Sequence, residues 1–250
     1  MNVMVDGLLT AYEKAGKGEI VILLHGWGDR GAGLRSLQTE LAKDFTVITP
    51  DLPGFGKTEA PRTAWDVTDY ARFVHGFLDK LAIPKVYAIV AHSNGGAIAI
   101  RGLGQGILRA DRLVLLASAG VRGEYDGHHT AQRLLVKAGK VLATPLPTSA
   151  KRRLRRRVYD AVGSDMLVAE HLQETFKRVI TDDVQADAVN ITGPVLLLYG
   201  EQDKATPVRY GELFHERMAA SILEVLPGAG HFLYLDRPRE TMKAIKEFLR

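Results

Sequence analysis

Short apolar runs that lack polar alternation recur along the chain and predict buried strands. Each run is rich in Leu, Ile and Val and leads into turn residues such as Gly, Pro or Asp. The five runs are Glu19 to Gly26, Asp44 to Gly56, Lys85 to Ser93, Asp111 to Gly120 and Gly193 to Asp203. Strands that are apolar on both faces are typical of a parallel sheet covered by helices on both sides.

The segments between these runs have the apolar spacing of amphipathic helices. Three clear examples are Thr63 to Ile83, Thr206 to Ala220 and Arg237 to Arg250, and the last two open with a proline suited to a helix start. Strand and helix therefore alternate, which predicts an α/β architecture with right-handed crossovers. Ligands should bind such a fold at the carboxyl ends of its strands.

The alternation lapses after residue 120, where three helical patterns follow one another over residues 128–143, 148–162 and 164–180. We therefore predict a core of residues 1–120 and 186–250 with a helical cap, or lid, inserted at 121–185. Four apolar cap residues are candidates for pocket lining, although simple packing would explain them equally well. They are Leu134, Leu135, Met166 and Leu167.

The net charge of +4 is local, because the run KRRLRRR at residues 151–157 carries six basic residues. A nucleic-acid-binding surface would spread its Lys and Arg over several elements, so no nucleic-acid partner is expected. The run is most simply a solvated helix face. The alternative is that it steers anionic substrates or contacts an acidic membrane surface.

The composition narrows the possible chemistry further. The 250 residues include no cysteine, which excludes disulfides, thiolate catalysis and Cys-ligated metal. No basic segment followed by an apolar run opens the chain, and no apolar stretch approaches the length of a membrane span. We expect a cytoplasmic protein without stable membrane insertion, present as a monomer or homodimer.

Ser93 lies where the strand of Lys85 to Ala91 stops and a small-residue helix from Asn94 starts. A side chain on such a sharp turn is exposed above the sheet, at the positive end of a helix. The glycines at 95 and 96 let the helix pass close to neighbouring strands. Ser118 also ends a strand before a glycine, but no helix follows it, so Ser118 is interpreted as structural or pocket-lining.

A serine hydroxyl needs a base, and a histidine held by an acid supplies one. Of the eight histidines, His231 lies in a glycine-rich loop between the last strand-like run and the final helix. Asp203 follows an earlier strand, although on its own it could be a turn or helix-capping residue. The chain order Ser93, Asp203, His231 is that of the α/β-hydrolase triad.

An acyl-transfer site also needs two backbone N–H groups for the developing oxyanion. Asn94, directly after Ser93, would supply one, and Trp27 in the His25-Gly26-Trp27-Gly28 loop would supply the other. A plain glycine turn between strand and helix is the simpler alternative for this loop.

The motifs HGWG, DLPGFGKT, AHSNGG, GEQDKATP and PGAGHF, in this order, resemble the α/β-hydrolase superfamily, and within it the small bacterial capped esterases, lactonases and carbon–carbon bond hydrolases. The resemblance implies Ser93 as nucleophile, His231 as base, Asp203 as acid, and Trp27 and Asn94 as oxyanion donors. Ala91 departs from the pattern, since it stands where the family usually has glycine.

These inferences predict a serine hydrolase for small to medium esters or lactones, without metal or organic cofactor, in which His25, Gly26 and Phe232 also border the substrate pocket. A serine nucleophile argues against the dehalogenase and epoxide-hydrolase branches. Two alternatives stay open. One is a carbon–carbon bond hydrolase for a vinylogous diketone, and the other is a non-catalytic ligand-binding protein that keeps the pocket.

Overall fold

A computed structural model describes residues 1–122 and 172–250, and one sheet runs through them. Its strands in chain order are β1 Asn2–Val5, β2 Leu8–Ala15, β3 Ile20–Leu24, β4 Thr46–Pro50, β5 Val86–His92, β6 Ala110–Leu116, β7 Val195–Gly200 and β8 Ser221–Leu226. Across the sheet the order is β1-β2-β4-β3-β5-β6-β7-β8. Strands β3 to β8 are parallel, whereas β1 and β2 pair antiparallel at one edge.

The predicted α/β architecture with a mostly parallel sheet is confirmed. All five apolar runs form strands, and the run Ser221–Leu226 adds an edge strand. The antiparallel pair β1 and β2 was not predicted. Strand β1, at the edge, alternates exposed and covered positions, and β2 buries only three adjacent residues, so neither shows the continuous apolar pattern of the central strands.

Helices cover both faces of the sheet. In the described ranges they are α1 Arg35–Leu41, α2 Val67–Lys80, α3 Asn94–Gly104, α4 Gln173–Val179, α5 Gln185–Ala188, α6 Val208–Arg217, α7 Leu233–Asp236 and α8 Pro238–Leu249, with a 3-10 turn at Gly31–Leu34. Along β3, Ile22 and Leu24 pack with α2, α3 and α6, while Val21 and Leu23 pack with α1 and α8. This alternation explains why β3 is apolar at every position.

The parallel strands set the place of the functional loops. Because β3, β5, β6, β7 and β8 run in one direction, the loops that follow them meet at one edge of the sheet. The loops at 25–28, 92–94, 117–120, 201–206 and 227–231 all lie there. These loops carry the core residues singled out in the sequence.

The end of the first described range, at Gly120 to Arg122, is hydrogen-bonded to residues 180–184 near the start of the second range. The backbone N–H of Arg122 donates to Asp183 Oδ2 at 2.8 Å, and the N–H of Val184 donates to Gly120 O at 2.9 Å. The Arg122 side chain also donates to the carbonyl of Ile180. The path out of the core and the path back therefore run side by side.

The returning segment is also tied to the helix that follows Ser93. Arg101 of α3 contacts Asp182 at 2.7 Å and Asp187 at 2.7 Å, and it donates to the carbonyl of Asp183 at 2.8 Å. These side chains are largely buried, at 13% exposure for Arg101 and Asp187 and 17% for Asp182. Partly buried ion pairs of this kind are costly to break on one side.

Several predictions fall on residues outside the described ranges. They are most of the cap at 121–185, the lining candidates Leu134, Leu135, Met166 and Leu167, and the basic run 151–157. Of the third cap pattern, only its end is described, as α4. None of the helices within residues 1–122 and 172–250 has the length and hydrophobicity needed to cross a membrane.

Candidate active site

The backbone of the turn at Ser93 is strained. Ser93 adopts φ 52° and ψ −116°, a region that non-glycine residues rarely occupy. The following helix packs so tightly on the sheet that a Cβ on Gly95 would lie 2.5 Å from the carbonyl oxygen of Leu24. A Cβ on Gly96 would overlap the hydroxyl of Ser118. The two glycines therefore allow the helix to start directly behind Ser93.

The structure brings Ser93, His231 and Asp203 together in one hydrogen-bonded line. His231 Nε2 lies 3.0 Å from Ser93 Oγ, and His231 Nδ1 lies 2.8 Å from Asp203 Oδ2. The three residues follow β5, β8 and β7, and they are separated by up to 138 positions in the chain. With Nδ1 donating to the carboxylate, the lone pair of Nε2 faces the serine hydroxyl.

Asp203 is buried and accepts several hydrogen bonds. Its Oδ1 accepts the backbone N–H groups of Ala205 at 2.8 Å and Thr206 at 3.0 Å, and its Oδ2 faces both His231 and the Thr206 hydroxyl at 2.8 Å. Burial, the largest single influence, raises the pKa of the Asp203 carboxyl. The hydrogen bond and charge of His231 and the Thr206 donors lower this pKa, and together they outweigh burial. The net pKa lies below its ordinary value, so the side chain is a carboxylate near neutral pH.

The His25 ring is hydrogen-bonded to the backbone of two loops beneath this site. Its Nδ1–H donates to Gly26 O at 2.8 Å, and its Nε2 accepts the backbone N–H of Leu52 at 2.9 Å. Complete burial is the main cause that lowers the pKa of His25 below its ordinary value. The ring is therefore neutral and has both nitrogens occupied by backbone groups, an arrangement suited to holding the loops of 25–28 and 51–57 together.

His92, the residue before Ser93, supports the loop of His231. Its Nε2–H donates to the backbone carbonyl of His231 at 3.0 Å, and the two rings lie 4.8 Å apart between centroids. Burial, followed by the nearby charge of His231, lowers the pKa of His92 from 6.5 to about 3. Its buried Nδ1 has no hydrogen-bond partner in the described part of the chain. The His92 ring next to His231 is therefore neutral.

The predicted oxyanion donors flank Ser93. Asn94 is the first residue of α3, directly after the serine, and its backbone N–H is one of the free donors of that helix start. The loop of Trp27 passes close by, because a Cβ on Gly26 would lie 3.1 Å from Ser93 Cβ. Within residues 1–122 and 172–250, neither the Trp27 nor the Asn94 amide donates to a protein acceptor.

Phe232 and Ser118 take different positions around the triad. The Phe232 ring is 44% exposed and lies against the rings of His231 and His92, at centroid distances of 5.4 and 5.2 Å. Ser118 is fully buried, and its hydroxyl donates to its neighbour Ala119 O at 3.1 Å. Ser118 is therefore packed under the site, whereas Phe232 borders its open side.

Two residues near the triad were not singled out as functional in the sequence. Thr206 appeared only as part of a helix start, and His92 only among the eight histidines. Their positions depend on the folded loops, because Thr206 reaches His231 and Ala117, and His92 reaches the loop after β8. The signal available in the sequence was that Thr206 lies three positions after Asp203 and that His92 directly precedes Ser93.

Comparison with known proteins places the chain in a family. The family model described as "Alpha/beta hydrolase family" matches residues 21–244. The chain belongs to the alpha/beta hydrolase family. The match spans both described parts of this alpha/beta hydrolase and includes Ser93, Asp203 and His231.

Individual relatives of this alpha/beta hydrolase have varied descriptions. An uncharacterised protein of Mycobacterium tuberculosis is 30% identical over 98% of this chain and 79% of its own length. The 2-hydroxy-6-oxo-6-(2'-aminophenyl)hexa-2,4-dienoic acid hydrolase of Metapseudomonas resinovorans is 28% identical over 99% of this chain and 89% of its own length. The pimeloyl-[acyl-carrier protein] methyl ester esterase of Chromobacterium violaceum is 27% identical, covering 100% and 98%.

Among solved structures, a bacterial membrane phospholipase A superposes with a TM-score of 0.79 at 25% identity, covering all of this chain and 84% of the phospholipase chain. The family and these relatives support a hydrolase. They include both an esterase and a hydrolase of a dienoic acid, so they leave the bond that is cleaved open.

Proposed function

We propose that this alpha/beta hydrolase is a serine hydrolase that cleaves carboxylic esters or lactones of small to medium size through an acyl-enzyme on Ser93. The observation that carries the proposal is the His231 ring, which lies 3.0 Å from Ser93 Oγ on one side and 2.8 Å from Asp203 Oδ2 on the other. Both distances are those of working hydrogen bonds, and they give the imidazole a base function toward the hydroxyl.

In the first half-reaction, Ser93 Oγ attacks the ester carbonyl and its proton moves to His231 Nε2. The ring then carries a positive charge, which the Asp203 carboxylate stabilises from the Nδ1 side. The negative charge develops on the former carbonyl oxygen. The Trp27 and Asn94 amides are the proposed donors to that oxyanion, and each such donor contributes about 3 kcal/mol of barrier lowering in comparable sites.

Collapse of the tetrahedral intermediate breaks the bond to the alkoxy group, which leaves with the proton from His231 Nε2. A water molecule then gives a proton to the same nitrogen and attacks the acyl-enzyme, which releases the acid and restores Ser93. Every proton therefore passes through His231. These steps use only side chains and backbone amides of the protein, so the proposal includes no cofactor.

A fluorophosphonate probe tests the nucleophile directly. We expect covalent labelling of the wild-type protein and none of Ser93→Ala, together with a loss of p-nitrophenyl ester turnover of about 10⁴-fold or more. The matched control is Ser118→Ala, because Ser118 also ends a strand before a glycine but its hydroxyl is buried on a carbonyl. Ester turnover that survives in Ser93→Ala, or a folded wild type that stays unlabelled, would refute the proposal and favour a binding protein.

The second candidate function is hydrolysis of a carbon–carbon bond in a vinylogous diketone. The similarity to the hydrolase of Metapseudomonas resinovorans favours it, as the similarity to the methyl ester esterase favours ester cleavage. A panel of p-nitrophenyl esters, lactones and one ring-cleavage dienoic acid separates them. A kcat/KM for the dienoic acid that exceeds every ester and lactone would replace the ester proposal with the carbon–carbon one.

We further propose that residues 121–185 cover the triad as a cap and that Phe232 borders the substrate pocket. The exposed Phe232 ring against His231 supports this, since a large apolar side chain there gives an acyl chain or ring an apolar contact. The expected partner is a small-molecule substrate in the cytoplasm.

A further inference from the structure

The hydroxyl of Thr206 lies between three functional elements of the site. Thr206 Oγ1 is 2.8 Å from Asp203 Oδ2, 2.9 Å from the carbonyl oxygen of Ala117 and 3.2 Å from His231 Nδ1. The side chain is 4% exposed, so water does not compete freely for these contacts. Ala117 directly follows β6, so Thr206 links Asp203 and His231 to the end of a strand that carries none of the three site residues.

A hydroxyl has one proton to donate and lone pairs to accept with. Ala117 O and the Asp203 carboxylate can only accept, so the proton goes to one of these two. Because His231 Nε2 faces Ser93 as acceptor, Nδ1 carries the ring hydrogen and directs it toward Asp203 and Thr206 Oγ1. The hydroxyl oxygen can therefore accept a share of that hydrogen while its own proton remains bonded.

The contacts of Thr206 with Asp203 restrict rotation of the carboxylate. The backbone N–H of Thr206 donates to Oδ1 at 3.0 Å, and the hydroxyl faces Oδ2 at 2.8 Å. The carboxylate is thus contacted at both oxygens by one residue, whose hydroxyl also lies 2.9 Å from Ala117 O. A threonine in this place fixes the plane of the carboxylate and, through it, the plane of the His231 ring.

We propose that Thr206 is a positioning residue of the triad, whose hydroxyl aligns Asp203 and His231 for proton transfer from Ser93. The inference rests on the proposed serine hydrolase function and extends it by a fourth side chain. Thr206 does not touch the reacting atoms. It acts by keeping the His231 ring in the orientation in which Nε2 points at the serine hydroxyl, including after the ring has taken up the proton.

Paired substitutions separate the hydroxyl from the shape of the side chain. Thr206→Val keeps the branched shape and removes the hydroxyl, whereas Thr206→Ser keeps the hydroxyl and removes a methyl group. We expect Thr206→Val to lower kcat for p-nitrophenyl butyrate by about 10- to 100-fold with little change in KM, since small misplacements of catalytic groups cost up to about 100-fold. Thr206→Ser should stay within about threefold of the wild type.

A matched control removes a similar hydroxyl elsewhere. Thr46 donates to the carbonyl of Gly18 at 2.9 Å, and it lies at the amino end of β4, the opposite edge of the sheet from the triad. Thr46→Val should keep the wild-type kcat. If Thr206→Val does not fold, Thr206→Ala measured against Thr206→Ser makes the same comparison.

A spectroscopic measurement addresses the alignment itself. The low-field proton resonance of the hydrogen between His231 and Asp203 should shift or broaden in Thr206→Val and keep its wild-type position in Thr206→Ser. A folded Thr206→Val with wild-type kcat, or a Thr206→Ser as impaired as Thr206→Val, would overturn the inference. Failure of the proposed function is distinguishable, because it would appear as an unlabelled wild type or an active Ser93→Ala.

Discussion

Burial of a neutral His92 predicts that the protein loses stability in mild acid. In the folded state, burial and the neighbouring His231 lower the pKa of His92 from 6.5 to about 3. The unfolded chain therefore binds a proton near pH 6.5 that the folded chain does not bind until about pH 3. The contribution of His92 is complete above pH 6.5 and is lost progressively as the pH falls toward 3.

The size of the effect follows from the width of that interval. Each pH unit below 6.5 costs about 1.4 kcal/mol of unfolding free energy for one such group. Between pH 7.5 and pH 5.0, His92 therefore accounts for a loss of about 2 kcal/mol. Any folded-state pKa below about 4 gives nearly the same figure, because the folded ring is then still neutral at pH 5.

Urea unfolding followed by circular dichroism at these two pH values provides the assay. The wild type should lose about 2 kcal/mol more on acidification than His92→Gln, whose side chain cannot take up the proton. His75→Gln is the control, since His75 is 52% exposed on α2, and it should show the wild-type loss. An equal loss in wild type and His92→Gln would show that His92 is not the buried neutral group inferred from its contacts.

Two further predictions concern the helix behind Ser93. Arg101→Met should lower the unfolding free energy in urea by about 3 kcal/mol, because it leaves largely buried carboxylates such as Asp187 without their ion pair. The control Arg35→Ala breaks a pair whose arginine is 64% exposed, so it should cost under about 1 kcal/mol. Equal losses in the two variants would contradict the difference in burial. Gly95→Ala places a methyl group 2.5 Å from a β3 carbonyl oxygen, so it should lower the unfolding free energy by about 3 kcal/mol and abolish most of the ester turnover. Its control is Gly106→Ala, where the methyl group meets open space at φ 69°, and this variant should lose about 1 kcal/mol and keep its turnover. A fully active Gly95→Ala would argue against the close packing of α3.

The fold could be predicted from the sequence wherever the residues of a strand or helix show by themselves how it is buried. The five central strands each contain a continuous apolar run because helices cover both faces of the sheet, and such a run can be recognised within the strand's own sequence. The edge strand β1 has no such cover, and Met4 is 53% exposed there. Its pattern is therefore weak, and only the pairing with β2 identifies it as a strand.

Some residues of the candidate site could likewise be recognised from the local sequence, and others could not. Ser93 has a local signature, because a strand, a sharp turn and a small-residue helix follow each other directly. The role that the structure suggests for Thr206 has no local signature, since its hydroxyl contacts Ala117 and His231, which are 89 and 25 positions away. Contacts of this kind depend on how the loops at the carboxyl edge are placed relative to each other, and spacing in the sequence does not specify that placement.

The hydrogen bonds that join Gly120 and Arg122 to residues 180–184 hold the end of the first described range beside a segment of the second. A change in the number of residues between 122 and 172 would leave these bonds in place, because they join residues outside that stretch. The residues between these two anchored segments can therefore vary while the strands that carry Ser93, Asp203 and His231 keep their places.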